Sequence, residues 1–87
     1  MVTSDESGAA VDVFIAHSGL AEEVVVLEWL VDDGHPVEVG SPLVLIESEK
    51  TQLEIESPAA GRLEIVTPAS DIEVPVGTVI GKIWTSA

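Results

Sequence analysis

The chain has 87 residues, enough for one small domain and too few for a second hydrophobic core. Three basic residues stand against 16 acidic ones, and the formal net charge of −13 repels phosphate backbones and anionic membranes. We therefore expect neither nucleic acid nor membrane as a partner. Without cysteine, and without an apolar run of signal-peptide or membrane-spanning length, the sequence predicts a cytoplasmic protein without disulfides.

The chain divides into a short polar start and a strand-rich remainder. Residues 1–10 offer too little apolar surface to offset the entropy of ordering, so we expect a disordered tail followed by one domain over residues 11–87. Short runs rich in β-branched residues then recur between turn signals, and no helix-length apolar stripe competes with them. The predicted strands are 11–16, 23–31, 42–48, 52–56, 62–66 and 78–84.

Two of the predicted strands alternate clearly between apolar and polar residues. Leu53 and Ile55 alternate with Gln52, Glu54 and Glu56, and residues 62–66 show a similar pattern. A period of two places alternate side chains on opposite faces of a sheet. We therefore expect these strands to bury one face only. Leu53 is expected on the buried face.

The sequence also repeats at about half its length. Residues 37–41 reappear as 74–78, and Leu27-Glu28 matches Leu63-Glu64 at a spacing of 36 residues. Two similar units, each unable to bury its apolar face alone, would bury both by packing sheet on sheet. The predicted fold class is therefore all-β, a flattened barrel or sandwich of two antiparallel sheets with internal twofold pseudosymmetry.

A chain reversal is needed near the midpoint, around Glu47, Glu49, Lys50 and Thr51. The favoured hairpin turns use Gly, Asn or Asp, and none of these occurs in this stretch. A local rule broken at one place points to a functional site. A turn here would project Lys50 from the body of the domain, where a modifying enzyme could acylate it. The alternative is an ordinary solvated lysine in a loop.

The surrounding string ESEKTQLEIESPAAGRL resembles the attachment segment of the biotinyl/lipoyl carrier family, and the resemblance extends over residues 11–84. That family typically has a glycine 16 residues before the modified lysine and another 11 residues after it, which here are Gly34 and Gly61. The residues 57–61 are similar to its S-P-x-x-G segment. The resemblance implies a hammerhead-type fold, attachment at Lys50, and supporting turns in which Gly34 and Gly61 adopt positive φ.

The residues next to Lys50 bear on the choice of cofactor. Biotin carriers of this fold usually present methionine on both sides of the lysine, whereas Lys50 follows Glu49 and precedes Thr51. An acidic residue before the lysine resembles the lipoyl domains of 2-oxoacid dehydrogenase acyltransferases, with Glu47, Glu49 and Thr51 flanking the attachment site. Covalent lipoate on Lys50 is therefore the expected cofactor, with biotin as the alternative.

The resemblance implies a carrier that is not itself an enzyme. A lipoate ligase, or an octanoyltransferase with lipoyl synthase, would load Lys50. The arm would then carry acyl groups and electrons between a 2-oxoacid decarboxylase, a dihydrolipoyl acyltransferase and a flavin-containing dihydrolipoyl dehydrogenase. We expect the isolated domain to be a monomer. An unmodified interaction module of the same fold is the second hypothesis, and a free-standing protein and a piece of a larger acyltransferase both remain open.

Other residues give weaker signals. His17 and His35 have no second donor at a metal-ligand spacing, so we expect turn or loop roles and no metal site. Trp29 and Trp84 are expected to supply apolar area to the core or its edge. The loop at residues 16–20 departs from the Pro-Asp-x-Gly-like loop of lipoyl domains, since only Gly19 is recognisable. The decarboxylase that this carrier would serve therefore stays open.

Overall fold

The computed structural model describes residues 8–16, 22–48 and 51–86. These ranges contain eight strands and no helix, as the short β-branched runs predict. The described residues accordingly include no helix that could cross a membrane. The strands are β1 (Gly8–Phe14), β2 (Glu23–Trp29), β3 (Pro36–Val37), β4 (Pro42–Ser48), β5 (Thr51–Glu56), β6 (Gly61–Ile65), β7 (Glu73–Pro75) and β8 (Val79–Ser86).

The strands form two antiparallel sheets of four. The first sheet has the order β1-β8-β6-β3, and the second has the order β5-β4-β2-β7. Each strand of the first sheet has a counterpart four places away along the chain: β1 corresponds to β5, β8 to β4, β6 to β2 and β3 to β7. With these replacements the order of the first sheet becomes the order of the second. This correspondence confirms the all-β fold and the internal twofold pseudosymmetry predicted from the repeat.

The pseudosymmetry extends to single turns. Gly40 and Gly77 have φ angles of 89° and 91°, and they lie in the turns between β3 and β4 and between β7 and β8. In each turn the residue after the glycine donates its main-chain N–H to the carbonyl three residues earlier, at 3.0 and 3.2 Å. The repeated sequence therefore encodes the same turn twice.

The hydrophobic core lies between the two sheets and draws residues from both. Leu43 and Val44 of β4 and their counterparts in β8, Ile80 and Gly81, are all buried. Leu43 and Val44 are consecutive, and both are buried at the place where the register between β4 and β5 shifts, between Pro42 and Val44. The buried apolar residues are Val13, Ile15, Val24, Val26, Val37, Leu43, Val44, Ile46, Leu63, Ile80 and Ile83.

Three sequence-based expectations about strands need correction. The strands β3 and β7 were not predicted, because runs of two and three residues carry no readable alternation. β1 starts at Gly8, so residues 8–10 of the expected tail are paired, with Ala9 opposite Thr85. Their partners lie in β8, more than 70 residues away along the chain, and local composition cannot reveal them. Residues 1–7 lie outside the described ranges.

The repeat itself was misaligned by one residue at Leu27. The register between β2 and β4 shifts between Val26 and Glu28, which marks a β-bulge at Leu27. Val26 pairs with Ile46 as Leu63 pairs with Ile83, and both Val26 and Leu63 are buried. The structural counterpart of Leu63 is therefore Val26.

Candidate functional site

The hairpin of β4 and β5 forms the frame of the predicted attachment site. Its antiparallel pairing runs from Pro42 opposite Glu56 to Ser48 opposite Thr51. The chain connects Ser48 to Thr51 through Glu49 and Lys50, which both lie outside the described residues. The structure thus defines the last residue pair before the connection, while the role of Lys50 stays a prediction.

The two faces of this hairpin differ in chemistry next to the connection. Ile46 points into the core, so alternation places Ser48 on the same inward face and Glu47 on the outward face. Directly opposite residues of antiparallel strands share a face. Thr51 therefore lies on the inward face with Ser48, and Gln52 lies on the outward face with Glu47. Thr51 is exposed and Glu47 is half-buried.

Gly34 lies in the turn that leads from β2 to β3 and has a φ of 87°. Its N–H donates to the carbonyl of Leu63 at 2.7 Å, and the guanidinium of Arg62 donates to its carbonyl at 2.8 Å. No atom lies within 4 Å of the place where a β-carbon would be. The positive φ, rather than crowding, is what favours glycine at this position.

Gly61 differs from its expected role. It is the first residue of β6, and it is not among the glycines with positive φ. A β-carbon built on it would overlap the main-chain carbonyl of Trp84 and press against Ile83. Glycine is favoured at this position by the close approach of β8, so the prediction of a positive-φ turn was wrong.

Lys82 is the lysine whose surroundings the structure describes. Lys82 lies in the middle of β8, between β1 and β6, and its ammonium is 3.0 Å from the carboxylate of Asp12. Its cross-strand neighbour in β6 is Glu64, a second acid. A lysine in the centre of a sheet, beside two acids, is a poor substrate for a modifying enzyme. Lys50 is the remaining lysine.

His35 lies in a turn, at residues 32–35, that hydrogen bonds hold in place. Asp33 accepts a hydrogen bond from the N–H of Ile65 at 2.7 Å, and the N–H of His35 donates to the carbonyl of Asp32 at 3.1 Å. The first bond ties the turn at residues 32–35 to β6, and the second closes the turn itself. Among the described residues no group of three or more His, Cys, Asp or Glu could hold a metal ion. His17 and Gly19 lie outside the described ranges.

The two tryptophans, which the sequence did not distinguish, differ in environment. Trp29 is half-buried against the core, and its indole N–H donates to the carbonyl of Thr67 at 2.9 Å. Trp84 is 41% exposed, and its indole N–H donates to the carboxylate of Glu64 at 2.7 Å. Trp29 therefore contributes to the core as predicted, whereas Trp84 lies mainly on the surface.

Glu23 and Glu73 form an acidic pair, close to the hairpin, that the sequence did not predict. Val25 is paired with Glu47 on one side and with Glu73 of β7 on the other. A hydrogen bond with Glu73, together with the negative charge of that residue, raises the pKa of Glu23 above its usual value. Glu23 and Glu73 are 50 residues apart in the chain, and β7 was not predicted, so no local signal could bring them together.

Comparison with known proteins identifies the family. The family model described as "Biotin-requiring enzyme" (Biotin_lipoyl) matches residues 11–83. The chain belongs to this family. The match covers nearly all of the range over which the sequence resembles biotinyl/lipoyl carriers, and it confirms that resemblance.

Several characterised proteins are similar to this member of the Biotin_lipoyl family. The dihydrolipoyllysine-residue acetyltransferase component of the pyruvate dehydrogenase complex of Mycobacterium tuberculosis is 38% identical over 65 residues, 75% of this chain and 12% of that protein. The Corynebacterium glutamicum component is 37% identical over 78 residues, 88% of this chain and 12% of its own length. The acetyltransferase component of the Bacillus subtilis acetoin cleaving system is 39% identical over 72 residues, 82% of this chain and 18% of its length. The chain thus spans less than a fifth of these relatives.

Proposed function

We propose that the chain is a lipoyl carrier domain and that Lys50 is the attachment residue. The observation that carries the proposal is the pairing of Ser48 with Thr51, which leaves Lys50 in a two-residue connection at the end of a seven-residue and a six-residue strand. Lys82, the other lysine, is engaged with Asp12 inside a sheet. The similarity to dihydrolipoyllysine-residue acyltransferase components supports lipoate over biotin.

Covalent attachment would join the arm to Lys50 through an amide bond. A ligase would join the carboxylate of lipoate to the AMP part of ATP, which releases pyrophosphate and forms an acyl adenylate. The deprotonated Nζ of Lys50 would attack it, an amide would form and AMP would leave. Glu47 and Glu49 would lie close to an amide that no longer carries the charge of the lysine. The bound group supplies a dithiolane that undergoes thiol-disulfide exchange and carries acyl groups.

The contribution of the protein to this function is positional. The pairing of Ser48 with Thr51 would fix where the arm begins, because β4 and β5 continue from this pair into the part of the hairpin that packs on the core. A tethered group reaches successive active sites by intramolecular encounter, which raises its effective concentration without tight binding. We propose that the chemistry itself belongs to partner enzymes of a 2-oxoacid dehydrogenase-type complex, as the names of the similar proteins suggest.

Intact mass measurement tests the site and the cofactor together. The apo protein would be incubated with ATP, lipoate and a lipoate ligase, beside the variants Lys50→Arg and Lys82→Arg. We expect a lipoyl-sized increment on the wild type and on Lys82→Arg and none on Lys50→Arg. An increment on Lys50→Arg would show that the site is wrong.

A parallel incubation with biotin and a biotin ligase tests the alternative cofactor. A biotin increment at Lys50, in the absence of a lipoyl increment, would replace lipoate by biotin and keep the carrier function. No increment in either incubation, for a protein that circular dichroism shows to be folded, would favour the unmodified interaction module.

A further inference from the structure

Leu53 is an apolar residue that the fold leaves largely uncovered. Its side chain is 48% exposed, whereas Ile46, its direct partner across β4 and β5, is 5% exposed. The two residues share the inward face of the second sheet. The sequence predicted a buried Leu53 from its alternation with Gln52 and Glu54, and that prediction was wrong. β5 is an edge strand, so this part of its inward face is not covered.

Leu53 lies close to the residue that we propose for attachment. It is two residues beyond Thr51, a distance of about 7 Å along a strand. Thr51 directly follows Lys50 in the chain and is paired with Ser48. An enzyme that acts on Lys50 therefore has Leu53 within reach of its own surface.

Near the connection between β4 and β5, the inward face of these strands is less polar than the outward face. Ser48 and Thr51, its neighbours on that face, are uncharged. The outward face of the same two strands carries Glu47 and Glu54. Burial of apolar surface against a partner is favourable on the inward side, whereas a partner on the outward side must desolvate carboxylates.

The pseudosymmetry supplies a counterpart for Leu53 at the other end of the domain. Val11 pairs with Ile83 of β8 in the way that Leu53 pairs with Ile46 of β4, and Val11 is 37% exposed. Each is an apolar residue on an edge strand. Val11 is near the paired ends Gly8 and Ser86, whereas Leu53 is near Lys50.

We propose that Leu53 is a docking contact for the enzyme that acylates Lys50 and that it packs against an apolar side chain of that enzyme. The proposal rests on the proposed function, since it requires Lys50 to be modified. The contact determines how well the ligase binds the carrier and does not touch the reacting amine. Its loss raises the KM for the carrier and leaves kcat nearly unchanged.

The test compares ligase kinetics of matched variants of the full chain. Threonine has a high propensity for strands, so Leu53→Thr and Val11→Thr remove apolar surface at equivalent positions with the backbone kept extended. We expect Leu53→Thr to lower kcat/KM for lipoyl transfer about three- to tenfold, through KM, as loss of part of a leucine contact predicts. We expect Val11→Thr to have the kinetics of the wild type. We expect Leu53→Met, which keeps an apolar side chain, to retain most of the wild-type activity.

Several outcomes separate this proposal from the proposed function. If the wild type accepts no lipoyl group, the proposed function fails. If the wild type is modified but Leu53→Thr retains its KM, the docking contact fails alone. Equal losses of kcat/KM for Leu53→Thr and Val11→Thr would also overturn the docking contact, because they would indicate a general effect on the fold. A loss for Leu53→Met as large as the loss for Leu53→Thr would overturn it as well. Thermal unfolding of each variant shows that the compared proteins are folded at the assay temperature.

Discussion

The main-chain carbonyl of Trp84 occupies the space that a β-carbon on Gly61 would need. The obstructing atoms belong to the backbone of β8, which is paired with β6 and cannot move aside as a flexible side chain can. Gly61→Ala would force these two strands apart at the point where Arg62 pairs with Trp84. We expect it to lower the free energy of unfolding by about 3 kcal/mol, measured by urea denaturation.

Gly34→Ala is the comparison for this variant. Its β-carbon would meet no atom within 4 Å, so its cost comes from the positive φ alone and should be about 1 to 2 kcal/mol. A larger loss for Gly34→Ala than for Gly61→Ala would contradict the steric explanation for Gly61.

Trp29 and Trp84 should respond differently to replacement by phenylalanine. Trp29→Phe removes a partly buried hydrogen bond to Thr67 and leaves space beside Gly81, whose β-carbon position is 3.0 Å from the indole. We expect a loss of about 2 kcal/mol in the free energy of unfolding. Trp84→Phe removes an exposed hydrogen bond to Glu64 and should cost less than about 1 kcal/mol. Similar costs in chemical denaturation would show that the two environments are not distinct.

Leu43 and Ile80 occupy equivalent positions in β4 and β8, and both are fully buried. The N–H of Leu30, the residue after β2, donates to the carbonyl of Leu43 at 2.7 Å. The N–H of Val66, the residue after β6, donates to the carbonyl of Ile80 at 2.9 Å. We therefore expect Leu43→Val and Ile80→Val to cost similar amounts, about 1 kcal/mol each. A difference of several kcal/mol between them in the same denaturation assay would mean that the pseudosymmetry of the backbone does not extend to the energetics of the core.

Glu23 should make the stability of the domain depend on pH. Glu73 raises the pKa of Glu23 in the folded state above its ordinary value of 4.5. The folded state therefore holds this proton more tightly than the unfolded state, and stability is lost as the pH rises from 4.5 through the folded pKa. We expect Glu23→Gln to be more stable than the wild type at pH 7, with the advantage disappearing below pH 4.5.

The control for this prediction is Glu28→Gln, a glutamate of the same strand whose partner in β4 is the uncharged Leu45. Thermal unfolding of both variants at pH 7, at low and high salt, separates a local effect from a change in net charge. The stabilisation should be larger for Glu23→Gln and should shrink in high salt, because the repulsion acts between exposed carboxylates. Equal stabilisation by both variants would assign the effect to net charge.

Much of the fold could be predicted from the sequence because its signals are local. The runs 42–48 and 52–56 alternate or are continuously apolar over enough residues to mark strands, and they correspond closely to β4 and β5. The repeated segment at residues 37–41 and 74–78 predicted two equivalent halves, which the two sheet orders confirm. The resemblance around Lys50 predicted the family that the comparison identifies.

Other features of the fold depend on contacts between residues that are distant in sequence, so local signals could not predict them. β7 has three residues, and its assignment depends on its partner β2. The start of β1 at Gly8 depends on Ser86, its partner at the other end of the chain. Leu53 follows the correct alternation but lies on an edge strand, and sheet order is not encoded in the period of a single strand.

The sequence by itself determined the β-rich character of the domain, its two similar halves, and the single lysine placed between two strand-forming runs. These features depend on the alternation of neighbouring residues and on spacing along the chain. Tertiary structure alone decided that Lys82 is engaged with Asp12, that Gly61 must be glycine because β8 passes over it, and that Leu53 is exposed beside the proposed attachment residue. Each of these depends on which strands become neighbours, and that choice is made by burying the two apolar faces against each other.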